Sequence, residues 1–136
     1  MKKYRSVFAI TFCAILTLFS CDKEELTMNK LLGTWEWVSD TSYYADSSIE
    51  VEYANKANNW HCLTFSDKFI EYEGYDIEDP IMTKYKYAYS CSGNIILLLG
   101  GIVQWEIEDL TNKNLKVKVT SALNADMYTI RAYKKK

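Results

Sequence analysis

The sequence predicts an all-β domain: an antiparallel up-and-down β-barrel of about eight strands, entered through a short N-terminal helical turn. Three observations carry this reading. Apolar and polar residues alternate with period two through much of the chain after Gly33, as in strands with one buried face. Short turn signals separate the alternating runs, so successive strands pair as hairpins. No long stretch in that region carries a helical period. A meander with one apolar face hides its edges by closing on itself. A sandwich is the competing architecture. The short turns after Trp60, with no long crossover, favour the barrel.

The chain of 136 residues allows one domain once a leader is set aside. Aromatic residues make up 15%, eleven of them tyrosine, against one proline and five glycines, which suits a β-rich globule and argues against disorder. Without Lys2, Lys3 and Arg5 the remainder has 13 basic and 18 acidic residues, a net of −5. That balance, with no basic stripe, argues against a nucleic-acid partner.

Met1 to Arg5 is a basic stretch, and Val7 to Phe19 an apolar run too short for a spanning helix. The run ends in Leu18-Phe19-Ser20-Cys21, which resembles the bacterial lipoprotein signal. The resemblance implies cleavage before Cys21 and acylation of that residue, with a membrane as the first partner. Several acyl chains would hold firmly, at ~0.8 kcal/mol per buried methylene. The division is then a signal peptide at 1–20, a lipidated tether at 21–30 and the barrel at 31–136. Asp22-Lys23-Glu24-Glu25 looks like the acidic export tag of some Gram-negative surface lipoproteins. The expected location is the cell envelope, as an outer-membrane lipoprotein with surface display as an option.

Residues 24–32 can form a short helix that covers one barrel end, stopped by Gly33. A first strand from about Thr34 to Tyr43 sets Trp35 and Trp37 on one face and Thr34, Glu36 and Val38 on the other. Two indoles from one strand need a covered core. Residues 44–59 read as a long connection holding a short edge-like strand at Ser48 to Tyr53. His61 to Ser66 turns Leu63 and Phe65 inward, and Ser66-Asp67-Lys68 leads into Phe69 to Gly74. After an acidic loop with Pro80, Lys84 to Cys91 alternates with Tyr85, Tyr87 and Tyr89 on one face. Ser92-Gly93-Asn94 turns into Ile95 to Leu99, and Gly100-Gly101 into Ile102 to Asp109, with Val103, Trp105 and Ile107 inward. Leu115 to Val119 points its lysines outward. Met127 to Tyr133 closes the set, with Tyr128 and Ile130 expected inside.

Leu32-Gly33-Thr34-Trp35 after a short helix resembles the Gly-x-Trp signature of lipocalins. The chain is similar to bacterial lipocalin-like lipoproteins. Those share a strand with a cysteine shortly before a phenylalanine (here Cys62 to Ser66, with Phe65), a later cysteine (Cys91) and a Trp-x-Ile-x-x-Leu strand (Trp105 to Leu110). The resemblance covers roughly residues 30–134. It implies a signature tryptophan at the closed end, often under an arginine of the last strand. That would be an Arg131–Trp35 stack, worth ~1 kcal/mol, although simple alternation opposes Arg131 to Tyr128 and Ile130.

With Cys13 in the leader and Cys21 acylated, Cys62 and Cys91 are an even pair in an oxidising compartment, and a disulfide is expected. It would contribute roughly 3–4 kcal/mol. Alternation sets the two on opposite faces, so a bulge would be needed; two thiols are the alternative. His61 is the only histidine, without a nucleophile motif, and reads as a surface or strand-end residue beside Trp60. The acids from Glu71 to Asp79 read as a solvated rim, since their spacing lacks a calcium-loop pattern. No catalytic residue, metal or cofactor is assigned, and no enzymatic activity is expected.

Two functions compete. The first is a barrel binding a small apolar ligand, with Trp37, Phe65, Tyr85, Tyr87, Tyr89, Trp105 and Tyr128 as candidate pocket residues. So many inward aromatics can also fill the interior and leave at most a shallow pocket. The second is a protein-binding lipoprotein, an inhibitor or immunity factor, using a filled barrel and exposed Tyr43, Tyr44, Tyr53, Trp60 and Tyr75.

Overall fold

The structure, a computed structural model, describes residues 26–136. A short helix over residues 26–31 leads into nine strands. These are β1 (Gly33–Tyr43), β2 (Ile49–Tyr53), β3 (Trp60–Phe65), β4 (Phe69–Tyr75), β5 (Thr83–Ser92), β6 (Ile95–Leu98), β7 (Val103–Leu110), β8 (Asn114–Ser121) and β9 (Asn124–Lys135). From β3 to β9 each strand pairs antiparallel with the next, and β1 closes the ring by pairing with both β3 and β9. The result is a closed eight-stranded antiparallel barrel. β2 lies outside the ring count: it takes the edge of β1 from Ser39 to Tyr43, beyond where β3 stops at Glu36. The alternating stretch at Ser48 to Tyr53 is therefore a true strand, exposed along its whole length.

The two barrel ends differ. At one end the helix lies across the opening, with Leu31 fully buried and Leu26 exposed. Gly33 stops the helix with φ of +112°, a backbone that side-chain-bearing residues resist. A side chain there would also press on Lys135, whose Cε and Nζ lie 3.1 Å from where a Cβ would sit. Trp35 is fully buried beneath the helix and donates its Nε1–H to the Leu31 carbonyl at 2.7 Å. Phe65 packs edge-on to Tyr89 and Trp105 and completes this plug. The opposite end is ringed by loops and stays open.

The cation over Trp35 is not Arg131. Lys135 holds its Nζ 4.4 Å from the Trp35 ring centroid and also donates to the carbonyls of Lys30 and Leu32. The register decides this: Lys135 is the residue of β9 opposite Trp35, whereas Arg131 is opposite Asp40 near the other end. The expected Arg131–Trp35 stack is thus replaced by a Lys135–Trp35 contact.

The expected Cys62–Cys91 disulfide is not formed. Cys62 shares the outer face of β3 and pairs with Glu36 and Glu73, two residues whose side chains bind Lys56 and Lys84 outside. Cys91 instead packs on the core from inside, at the end of the inward series Tyr85, Tyr87 and Tyr89. The barrel wall separates them, with β4 between their strands. No bulge in β3 or β5 reverses the parity that the sequence implied.

Candidate ligand cavity

A bulge in β1 gives the interior its chemistry. Pairing with β9 slips between Trp37 and Ser39, and Val38 turns out to solvent. Beyond the slip the inward positions become even-numbered, so Asp40 is buried and Ser42 meets Thr129 at 2.9 Å. Asp40 then accepts the Trp37 Nε1–H at 2.8 Å. It also accepts Arg131 Nε at 2.9 and 3.0 Å and Nη2 at 2.7 Å, a forked ion pair.

β9 carries the second half of this cluster. Tyr133 is almost fully buried and fixes the strand's parity, so Arg131 and Thr129 face in and Tyr128 and Ile130 face out. The expectation that Tyr128 and Ile130 line the interior is therefore overturned. Tyr128 stacks on Tyr43 at 4.8 Å on the outer wall, with Lys118 Nζ 4.5 Å above its ring.

His61 sits at the start of β3 beside Trp60, as expected, but faces the interior and not the surface. Its ring is held between Trp37, at 4.9 Å, and Tyr72, at 5.1 Å, with Nε2 lying 3.3 Å from the Tyr133 hydroxyl. Gly74 makes room for it. A Cβ on Gly74 would come within 2.4 Å of His61 Cβ and 2.7 Å of the Trp60 carbonyl. Burial pushes the imidazole down to about 4, the Arg131 charge adds to the drop and Asp40 opposes it. Burial likewise raises the Tyr133 hydroxyl well above the ordinary phenol range. The imidazole is thus neutral near pH 7 and titrates well below it.

Beside this cluster the barrel encloses a cavity of about 270 Å³. Its apolar wall is Leu63, Ile70, Leu98, Val103 and Val119, with Trp105 as the broadest surface. The polar side is His61, Tyr72, Arg131 and Tyr133, and Tyr87 and Leu99 complete it toward the mouth. Ile77, Ile81, Met82, Leu99, Ile102 and Leu123, in the loops around that open end, are all exposed. The interior is therefore not filled, despite its aromatics.

Of the seven candidate pocket residues, Tyr87 and Trp105 line this cavity. Trp37 stands behind His61 and touches the cavity through it. Phe65 belongs to the plug. Tyr89 is tied down near it, its hydroxyl donating to the Ser66 carbonyl at 2.6 Å. Tyr85 lies at the rim, more than half exposed, near Tyr72 and Tyr87. Tyr128 is outside. Tyr72, Tyr133 and Asp40 were not anticipated. Tyr72 alternates with Ile70 on β4 and was legible from that; Asp40 was not, because a bulge reverses its side. Cys21 and the whole segment 1–25, the lipobox and the acidic tag included, lie outside the described residues.

No protein-family profile and no curated protein matches the sequence. Among solved structures the chain is similar to the siderocalin Ex-FABP, described as functioning through dual ligand specificities. The match has a TM-score of 0.53 at 9% identity, over 79% of this chain and 74% of that one. The fold is lipocalin-like. A de novo designed fluorescence-activating β-barrel overlaps at TM-score 0.41 and 10% identity, over 77% of this chain and 93% of that one. At 9% identity the similarity to the siderocalin speaks to the fold alone.

Proposed function

We propose that this chain is a ligand-binding barrel of lipocalin type, anchored to a membrane through acylated Cys21 and holding a small, mainly apolar molecule. The observation that supports it is the cavity of about 270 Å³, apolar on one side, polar on the other and reached from the open end. An engineered apolar cavity of about 150 Å³ admits benzene, so this one has room for about a dozen non-hydrogen atoms. Among the described residues no helix is long and apolar enough to cross a membrane. In this reading the anchor is the lipid on Cys21, and the location is the outer membrane of a Gram-negative envelope.

The test is native mass spectrometry of the chain purified from its own envelope, before and after organic extraction. A small adduct that leaves on extraction is the expected result. A bare mass, together with no uptake of an added neutral aromatic probe, overturns the binding reading. The same spectrum reads the lipid, as the added mass of acyl chains on a chain beginning at Cys21.

A second reading, recognition of a protein partner, draws on the outer wall. Ile49, Val51 and Tyr53 form one exposed face of β2, beside the Tyr43–Tyr128 stack. It predicts that Val51→Lys with Tyr53→Lys abolishes a cross-linked partner in intact envelopes while leaving cavity binding unchanged.

A further inference from the structure

The polar side of the cavity carries information about the charge of its occupant, an inference that rests on the ligand-binding reading. Asp40 and Arg131 neutralise one another through three contacts of 2.7 to 3.0 Å. Asp40 takes its fourth from Trp37. The imidazole of His61 has an aromatic ring on each face and Tyr133 at its edge. No uncompensated charge therefore faces the cavity, and the rest of its wall is aliphatic or aromatic. A carboxylate entering here would shed its water and share Arg131 with Asp40, whose contacts use only Nε and Nη2, so that two carboxylates on one guanidinium would leave a net buried negative charge. An ammonium would meet an Asp40 whose oxygens are already engaged. Among the uncharged lining residues, Tyr72 and Tyr87 carry hydroxyls that bond to no described residue.

We propose that the cavity selects uncharged, ring-bearing ligands whose acceptor oxygen is met by the Tyr72 and Tyr87 hydroxyls, with the ring against Trp105. The Asp40–Arg131 pair acts as a charge filter, not as a counter-ion for an acid. Flat ring surfaces suit an aromatic guest, since offset and edge-on ring pairs contribute beyond their buried area.

Three probes of one skeleton test this on the full purified chain by calorimetry at pH 7.5: 2-acetylnaphthalene, 2-naphthoate and 2-naphthylmethylammonium, with bare naphthalene as reference. The ketone is expected to bind about tenfold or more tighter than either ion, as an unpaired buried charge demands. Tyr72→Phe with Tyr87→Phe should bring the ketone down to the level of naphthalene and leave naphthalene itself unmoved. Asp40→Asn can still accept the Trp37 N–H but no longer neutralises Arg131, and should raise naphthoate affinity about tenfold relative to the ketone. Naphthoate bound as tightly as the ketone by the unaltered chain overturns the charge filter while leaving ligand binding intact. Failure of all four probes overturns both. The ranking on the unaltered chain decides the matter even where Asp40→Asn does not fold.

Discussion

His61 is a residue whose environment sets a pH dependence. In the unfolded chain it takes up a proton near the ordinary imidazole value of 6.5, and in the barrel only near about 4. Between those values the unfolded state binds more protons, so stability is full above pH 6.5 and declines as pH falls toward 4. The loss from this one group is at most about 3 kcal/mol. His61→Phe keeps both ring contacts and removes the titration. Urea denaturation at pH 7.5 and 4.5 should show a smaller acid loss in this variant, and an equal loss would rule out the assignment. Gly74 is the other critical residue. Gly74→Ala drives a methyl group into the backbone of β3 at 2.7–2.8 Å, where nothing can swing aside. A cost of about 2–4 kcal/mol, read from the denaturant midpoint, is expected, at the high end of overpacking effects. A near-neutral result would mean that β3 and β4 can part without cost.

Among the elements, β9 has the most varied role. Its inward face supplies Arg131 and Tyr133 to the cavity, and Lys135 extends that series to the closed end. Lys135 sits over Trp35 and caps the final carbonyls of the helix, which have no partner within it. Lys135→Met keeps the alkyl stem and removes the charge, and about 1–2 kcal/mol of stability should go with it. Trp35 fluorescence should shift in the same variant while ligand affinity stays constant, because the cavity lies further up the barrel. If affinity falls too, the plug and the cavity are coupled. The parity of β9 was misread from sequence for a physical reason. Tyr128 and Ile130 have side chains suited to a core, yet Tyr128 finds its partners outside, where Tyr43 and Lys118 cover it. Tyr133, nearer the plug, takes the inside position and brings Arg131 with it.

At the scale of the molecule, closure by the last strand is what makes a barrel of a meander. β1 has β9 along one edge and β3 then β2 along the other, so no other strand can seal the seam. A chain ending at Ala132 loses Tyr133, Lys135 and the pairings with Trp35, Glu36 and Trp37. It should show no cooperative thermal transition by circular dichroism; a retained transition would mean that the seam is dispensable. Polarity matters too. The described chain enters at the plugged end, and the few residues from Cys21 to Leu26 reach at most about 18 Å when extended. With lipid on Cys21, the plugged end faces the anchoring bilayer and the mouth faces away. A spin label at Leu123, on a mouth loop, should then stay inaccessible to bilayer-borne relaxing agents, and strong relaxation there would reverse the orientation.

Pattern alone carried the class and order of the strands, the Gly33 stop and the inward faces of β3, β5 and β7. These are properties of neighbours along one chain: alternation, turn residues and the conformational freedom of a glycine. It also held the opposed faces of Cys62 and Cys91, although the expectation of an oxidised pair ran against it. Only the tertiary structure decided which residues meet. One slipped residue at Val38 reverses the side of everything after it in β1, and so put Asp40 inside to pair with Arg131, ninety-one positions away. Register across the β1–β9 seam put Lys135, and not Arg131, on Trp35. Such pairings depend on where two distant strands come into register. Period-two alternation has the same appearance at every even shift, so the residues of one strand cannot state that register.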